Sequence, residues 1–176
     1  MLQKLHRAFR SRRSFEVNAR AIIAATLLST GSALAADPVF GTWTWDAAHS
    51  HAESADDTCY VTALEDLGNG KFRETTTRVR SNGEVIRQDT ISAFDGGDHP
   101  NGLDGTTAFT RIDAQRYVMV YKERGKAFST AVRTISADGN TMTHVGDGTV
   151  KGKAFHDALV FERKDSTCET PNHKQP

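Results

Sequence analysis

The sequence predicts an all-β protein, a single antiparallel up-and-down β-barrel of about eight or nine strands. Three observations predict it. Turn signals of the Asn-Gly and Asp-Gly kind recur along residues 36–163 and separate short β-prone runs; they supply the positive φ angles that tight hairpins require. The runs succeed one another at roughly the 8–12-residue spacing of all-β domains, with no helical periodicity between them. Several runs carry few apolar residues, which packs poorly between two sheets but suits a closed barrel with a partly hydrated interior.

Each element follows in order. A first strand over 39–46 sets Val39, Gly41, Trp43 and Trp45 on one face. Asp46 is placed to cap one or two helical turns at most within 46–56. Gly68-Asn69-Gly70 divides strands 58–67 and 71–80, and Ser81-Asn82-Gly83 leads into 84–94. Strand 71–80 offers only Phe72 and Val79, on opposite faces. Asp95 to Pro100 reads as a tight, glycine-requiring connection before a strand at 106–112. Glu123-Arg124-Gly125 joins 116–122 to 126–136, and Ala137-Asp138-Gly139 precedes 140–146; the last strand is 155–163. Tyr117, Met119 and Tyr121 align, as do Phe128, Thr130 and Val132, and Phe155, Asp157, Leu159, Phe161 and Arg163. Long hairpins in sequential order favour an up-and-down barrel over a Greek key.

Residues 1–35 read as a signal peptide. A basic head precedes the apolar stretch Ala21 to Leu28, and small residues end in Ala33-Leu34-Ala35, an A-x-A site with cleavage expected after Ala35. Ser29, Thr30, Gly31 and Ser32 interrupt the apolar stretch well short of the roughly 20 residues a membrane anchor needs. Ser11-Arg12-Arg13-Ser14-Phe15 resembles the core of twin-arginine export signals, although Glu16 and Val17 depart from the usual continuation. An ordinary Sec signal with a long basic head fits equally well. Either route implies a periplasmic or secreted protein.

Lys+Arg and Asp+Glu both number 22, yet the balance is an average. The leader holds six basic residues and one acid, so residues 36–176 carry sixteen basic and twenty-one acidic groups, a formal charge of −5. An electrostatic nucleic-acid binder needs the opposite surplus. Cys59 and Cys168 both lie in the exported part, where two thiols most often pair. The pair closes a loop of about 110 residues, worth roughly 4–5 kcal/mol in the chain-entropy model, and ties the polar tail 164–176 to an early strand. The absence of C-x-x-C disfavours a redox or metal pair.

Gly41-Thr42-Trp43 on the first strand, the sequential hairpins and Arg163 at the end of the last strand together resemble the lipocalin and calycin barrels. In those families the Trp closes the barrel floor and the late Arg packs over it, so the resemblance implies that role for Trp43 and Arg163. A guanidinium on an indole combines cation–π attraction with stacking. A longer ordered series is similar to small exported bacterial β-proteins of unknown function. It comprises Gly41-Thr42-Trp43 with Ser50, Phe94-Asp95-Gly96-Gly97-Asp98-His99-Pro100, Arg111-Ile112-Asp113, Gly125-Lys126, and Ser136-Ala137-Asp138-Gly139-Asn140-Thr141-Met142-Thr143. The series spans most of 39–163. His49 stands where those proteins have Lys, and the cysteine pair is outside their pattern. The resemblance implies a lipocalin-like barrel and no settled activity.

Candidate chemistry is sparse. His49-Ser50-His51 is the one close histidine pair; on a strand it could present two zinc or copper ligands, with Glu53 or Asp56 as a third, but a solvated loop fits better. His99 beside Asp95 and Asp98 could act as a base, and Asp95-Gly96-Gly97-Asp98 lacks the bidentate Glu of a calcium loop. No G-x-S-x-G, P-loop or H-E-x-x-H occurs. Asp157 falls among apolar residues by parity; it anchors a ligand, pairs with Arg133 or Arg87, or turns outward at a bulge. The leading expectation is a barrel that binds a small apolar or amphipathic molecule, with Trp45, Tyr117, Tyr121 and Phe128 as wall and Asp157 as polar anchor. No cofactor is expected. A protein-facing role through the loops, as an envelope accessory or protease inhibitor, is the second class, and a barrel enzyme such as an isomerase the third.

Overall fold

The computed structural model describes residues 37–53 and 56–168; the export signal expected over residues 1–35 lies outside them. Ten strands form the wall: β1 (Gly41–Trp45), β2 (Asp57–Gly68), β3 (Lys71–Arg80), β4 (Val85–Ala93), β5 (Asp95–Pro100), β6 (Gly105–Arg111), β7 (Arg116–Glu123), β8 (Lys126–Ile135), β9 (Thr141–Val150) and β10 (Lys153–Arg163). Their order is β4-β3-β2-β1-β10-β9-β8-β7-β6-β5, and every neighbouring pair is antiparallel. Sequence neighbours pair throughout except β4 and β5, and β1 meets β10. The result is an up-and-down barrel that is closed but for one seam between β4 and β5.

Ten strands replace the expected eight or nine because Asp95 to Pro100, read as a tight connection, is a strand. It escapes the alternation test because it pairs only with β6, across a bulge between Asp95 and Asp98, while its other edge borders the seam. Glycine also disguised the full length of β9. Gly148 lies inside that strand because a Cβ there would stand 2.6 Å from the Phe155 ring. It is a site of close approach, not of turning.

The inward rows change character along their length. At one end, here called the base, Trp43, Phe72, Phe109, Tyr117, Ile135, Met142 and Phe161 are almost fully buried and form one cluster with Val39 and Leu64. Aromatic pairs tighten it: Phe72 stacks on Phe94 at 4.5 Å and meets Phe109 edge-on at 5.1 Å, contacts worth roughly 0.5–1.5 kcal/mol each beyond burial. The Arg163 guanidinium lies 4.2 Å over the Trp43 ring. It donates to the carbonyls of Pro38, Phe40 and Gly139, and the Trp43 indole donates to that of Val39. Gly41 makes the stack feasible: its φ is +139°, and a Cβ would sit 2.2 Å from Arg163 Nη1.

The tail leaves the base and runs along the outside of the barrel. Thr44 Oγ1 is hydrogen-bonded to the Lys164 carbonyl and to Ser166, and Cys168 is disulfide-bonded to Cys59 on β2. Between β1 and β2, Asp46 accepts from the amides of Ala48 and His49 and caps a single 3₁₀ turn, Ala47–His49. His51 then bridges to Ala158, so this connection follows β10 toward the open end, the mouth.

Candidate functional site

Above the apolar base the same inward rows turn polar. From Phe72, β3 continues with Glu74, Thr76 and Arg78; from Ile135 toward the mouth, β8 offers Arg133, Ala131 and Ser129; from Met142, β9 offers His144 and Gly146. Alternation fixes the face, and the residue types along each row set a gradient from apolar base to polar mouth.

The gradient centres on Arg133, which is only 1% exposed. Its Nη1 donates to Glu74 Oε1 at 2.7 Å and to the Tyr117 hydroxyl at 3.1 Å, and its Nε donates to His144 Nδ1 at 3.2 Å. Thr62 donates to the same Glu74 oxygen, and Thr76 donates to Thr62. Burial disfavours the charge on Arg133, but Tyr117 and Glu74 hold it protonated, well above the ordinary guanidinium value. Burial, reinforced by Arg133 and Arg78, pushes the His144 imidazole down to about 3. His144 is therefore neutral, accepting through Nδ1 with its proton on Nε2. Burial also raises the Tyr117 phenol to about 12 and lifts Tyr121 further. Nearer the mouth Arg78 pairs with Asp57 and covers the Tyr60 ring at 5.2 Å.

Of these groups Tyr60, Glu74, Thr76, Tyr121 and Arg133 line a cavity of about 50 Å³, together with Thr107 and Phe109 and, on the seam side, Gln88, Thr90 and Ser92. Gln88 Nε2 donates across the seam to the Asn101 carbonyl at 2.7 Å. At about 10–15 Å³ of such volume per water, the cavity takes a handful of waters or a few heavy atoms. Among the described residues, Arg133 Nη2 makes no hydrogen bond.

The residues expected to line a ligand site fall in different places. Tyr121 lines the cavity. Tyr117 belongs to the base cluster and reaches the site through its hydroxyl. Trp45 packs against that cluster, its indole Nε1 buried and without a hydrogen-bond partner among the described residues. Asp157 faces inward and is 5% exposed, but its Oδ1 accepts from the Glu53 amide at 2.7 Å, so it holds the β1–β2 connection. Of the pairings expected for it, Arg133 is engaged by Glu74. Phe128 requires a correction: it is 38% exposed and lines an outer groove with Leu103, not the lumen. A register shift between β7 and β8 falls beside it, and the inward row of β8 is Ser129, Ala131, Arg133 and Ile135.

The histidine candidates separate as well. His49 binds Asp46, His51 binds Glu53, and His99 binds Asp95. Among the described residues no group of three or more His, Cys, Asp or Glu side chains could hold a metal ion. Glu74 and His144 escaped the sequence reading, which named Arg133 only as a possible partner of Asp157. Parity counted from Phe72, Ile135 and Met142 was the available signal.

Architecture and lumen together define a calycin-like barrel with a sealed apolar base and a polar upper chamber. One solved structure agrees on the fold. A crystal structure of a mutant of the fluorescent protein UnaG superposes with a TM-score of 0.53 at 13% identity, covering 74% of this chain and 99% of that one. The siderocalin Ex-FABP, described as functioning through dual ligand specificities, aligns with a TM-score of 0.36 at 11% identity, over 72% of this chain and 71% of that one. No family model and no curated protein sequence matches the chain.

Proposed function

We propose that this chain is an exported calycin-like binding protein that receives the polar end of a small amphipathic molecule in its upper chamber. One observation carries the reading. Arg133 is buried beside the cavity with two arms of its guanidinium engaged, and its Nη2 has no hydrogen bond among the described residues. A guanidinium N–H at the edge of a cavity favours a carboxylate, carbonyl or similar acceptor. Tyr60, Thr107, Gln88 and Tyr121 add hydroxyl and amide partners around the same space. The chamber's polarity disfavours a wholly apolar ligand, and its size suits a head group of a few atoms rather than a bulky ring system. With Glu74 paired to Arg133 and His144 neutral, this group of buried side chains carries no net charge.

Export rests on the leader sequence, and the Cys59–Cys168 disulfide supports an oxidising compartment. Replacing Arg12 and Arg13 with Lys blocks export if the twin-arginine reading holds; unchanged secretion returns the leader to the Sec route.

Native mass spectrometry of the mature protein, purified from an exporting host, tests the binding reading. The expected result is a retained small molecule that disappears in Thr107→Trp, which fills the cavity. A bare protein, joined to a fragment screen in which small carboxylates leave the Thr107 and Tyr121 resonances unmoved, overturns it.

A further inference from the structure

The described part of the chain distributes its cations unevenly. Most arginines and lysines are committed: Arg73, Arg78, Arg80, Arg111, Arg116 and Lys122 each hold a carboxylate, as do Arg133 and Lys164, while Arg163 holds backbone carbonyls. Six have no ion pair or side-chain hydrogen bond among the described residues, and four of these crowd together. Arg124 and Lys126 sit at the β7–β8 turn, and Lys151 and Lys153 at the β9–β10 turn. The sheet order β10-β9-β8-β7 makes these hairpin tips neighbours on the mouth rim: Glu123 pairs with Lys126, Lys153 pairs with Val150, and β8 pairs with β9. The opposing charges on this stretch are Glu123, Asp104, Asp147 and Glu53, the last two hydrogen-bonded to His156; Asp98 is held by Lys122.

Exposed apolar side chains accompany the cations. Leu103, 61% exposed, and Phe128 line one outer groove beside Glu123, and Val150 is exposed on the β9 tip. A barrel whose exported body is net acidic thus concentrates free positive charge and apolar groups on one arc of its mouth. A patch of this chemistry fits an interface of negative head groups above a shallow apolar layer. The body's acidic surplus disfavours a nucleic acid as the occupant.

We propose that the β7–β8 and β9–β10 tips, with the β5–β6 loop, dock the barrel mouth on an anionic phospholipid surface. The cations supply attraction, and Leu103 and Phe128 enter the head-group layer. This proposal is independent of what the lumen holds.

Co-sedimentation with vesicles of one part phosphatidylglycerol to three parts phosphatidylcholine tests it, using the mature disulfide-bonded protein. Wild type is expected to bind these vesicles, to release in high salt, and to ignore pure phosphatidylcholine. Each cation near such a surface is worth about 1 kcal/mol, so Lys126→Gln with Lys153→Gln should weaken partitioning by roughly 25-fold. Lys71→Gln, an equally unpartnered cation at the base turn, should leave it unchanged. Phe128→Trp should give a blue-shifted emission on binding, quenched by brominated lipid. Equal binding by wild type and the double variant, equal binding to neutral vesicles, a loss in Lys71→Gln as large as at the tips, or binding to single-stranded DNA with none to vesicles would each overturn the proposal.

Discussion

The base and the upper chamber of this barrel are built from the same ten strands, yet different forces hold them. The base is a packing problem solved with aromatics: Trp43, Phe72, Phe109 and Phe161 fill the space, and Arg163 seals it through stacking and backbone carbonyls. The upper chamber is a charge problem solved by mutual satisfaction: Arg133, Glu74, Tyr117 and His144 each complete the others. Packing energy is lost when volume is lost and does not return when a second group is removed. A buried ion pair behaves otherwise, because most of the damage from deleting one member is the stranded partner. The molecule places its apolar core at the sealed base, and its polar atoms around a cavity that reaches the β4–β5 seam.

The largest expected effect tests the base. Trp43→Ala should cost about 3–5 kcal/mol, since it removes a fully buried indole and leaves a cavity under Arg163. Adding Arg163→Ala should restore nothing, because the volume stays empty. Urea denaturation measures both, and a double variant more stable than the single one would make the base an electrostatic device after all.

Arg133→Met should cost about 3–5 kcal/mol by stranding Glu74 in the lumen. Here the second substitution should help: Arg133→Met with Glu74→Leu is expected to regain most of the loss. The pair of cycles is the sharpest way to separate the two regions. The recovered double variant should also lose any retained small molecule, which dissociates stability from binding.

Gly41→Ala is a smaller perturbation of the base, expected to cost roughly 1–3 kcal/mol through its left-handed backbone and the displaced Arg163. Indole fluorescence should report the displacement together with the loss in urea midpoint. A neutral Gly41→Ala would mean that Arg163 can swing aside freely.

How far the sequence discloses these regions follows from the same contrast. The base is legible because large apolar residues alternate: Trp43 with Val39, Tyr117 with Met119, and Phe161 with Leu159 declare their face at once. The tail disulfide is legible because two cysteines allow one pairing. The chamber is not, since polar inward residues look like solvent-facing ones. In β8 the outward Phe128 and Val132 are more apolar than the inward Ser129 and Arg133, so hydrophobicity alone selects the wrong face. β5 fails for a related reason, being an edge strand whose glycines and aspartates carry no pattern at all.

His144 offers the smallest effect and the most selective one. A free histidine titrates near 6.5, whereas burial holds this one at about 3. Between those values the unfolded chain binds a proton that the folded chain refuses, so stability falls as pH drops through the window, at up to ~1.4 kcal/mol per pH unit. The exposed His49 and His156 lean the other way: Asp46 and Asp147 raise them, so their contribution is present at low pH and fades as pH rises through their folded values. Comparison with His144→Gln cancels these two. Between pH 6.5 and 5, above most carboxylate titration, the wild type should lose roughly 1–2 kcal/mol more than the variant in urea melts. Equal losses would mean that water and protons reach His144 freely, and the upper chamber would then be an extension of the solvent rather than a built interior.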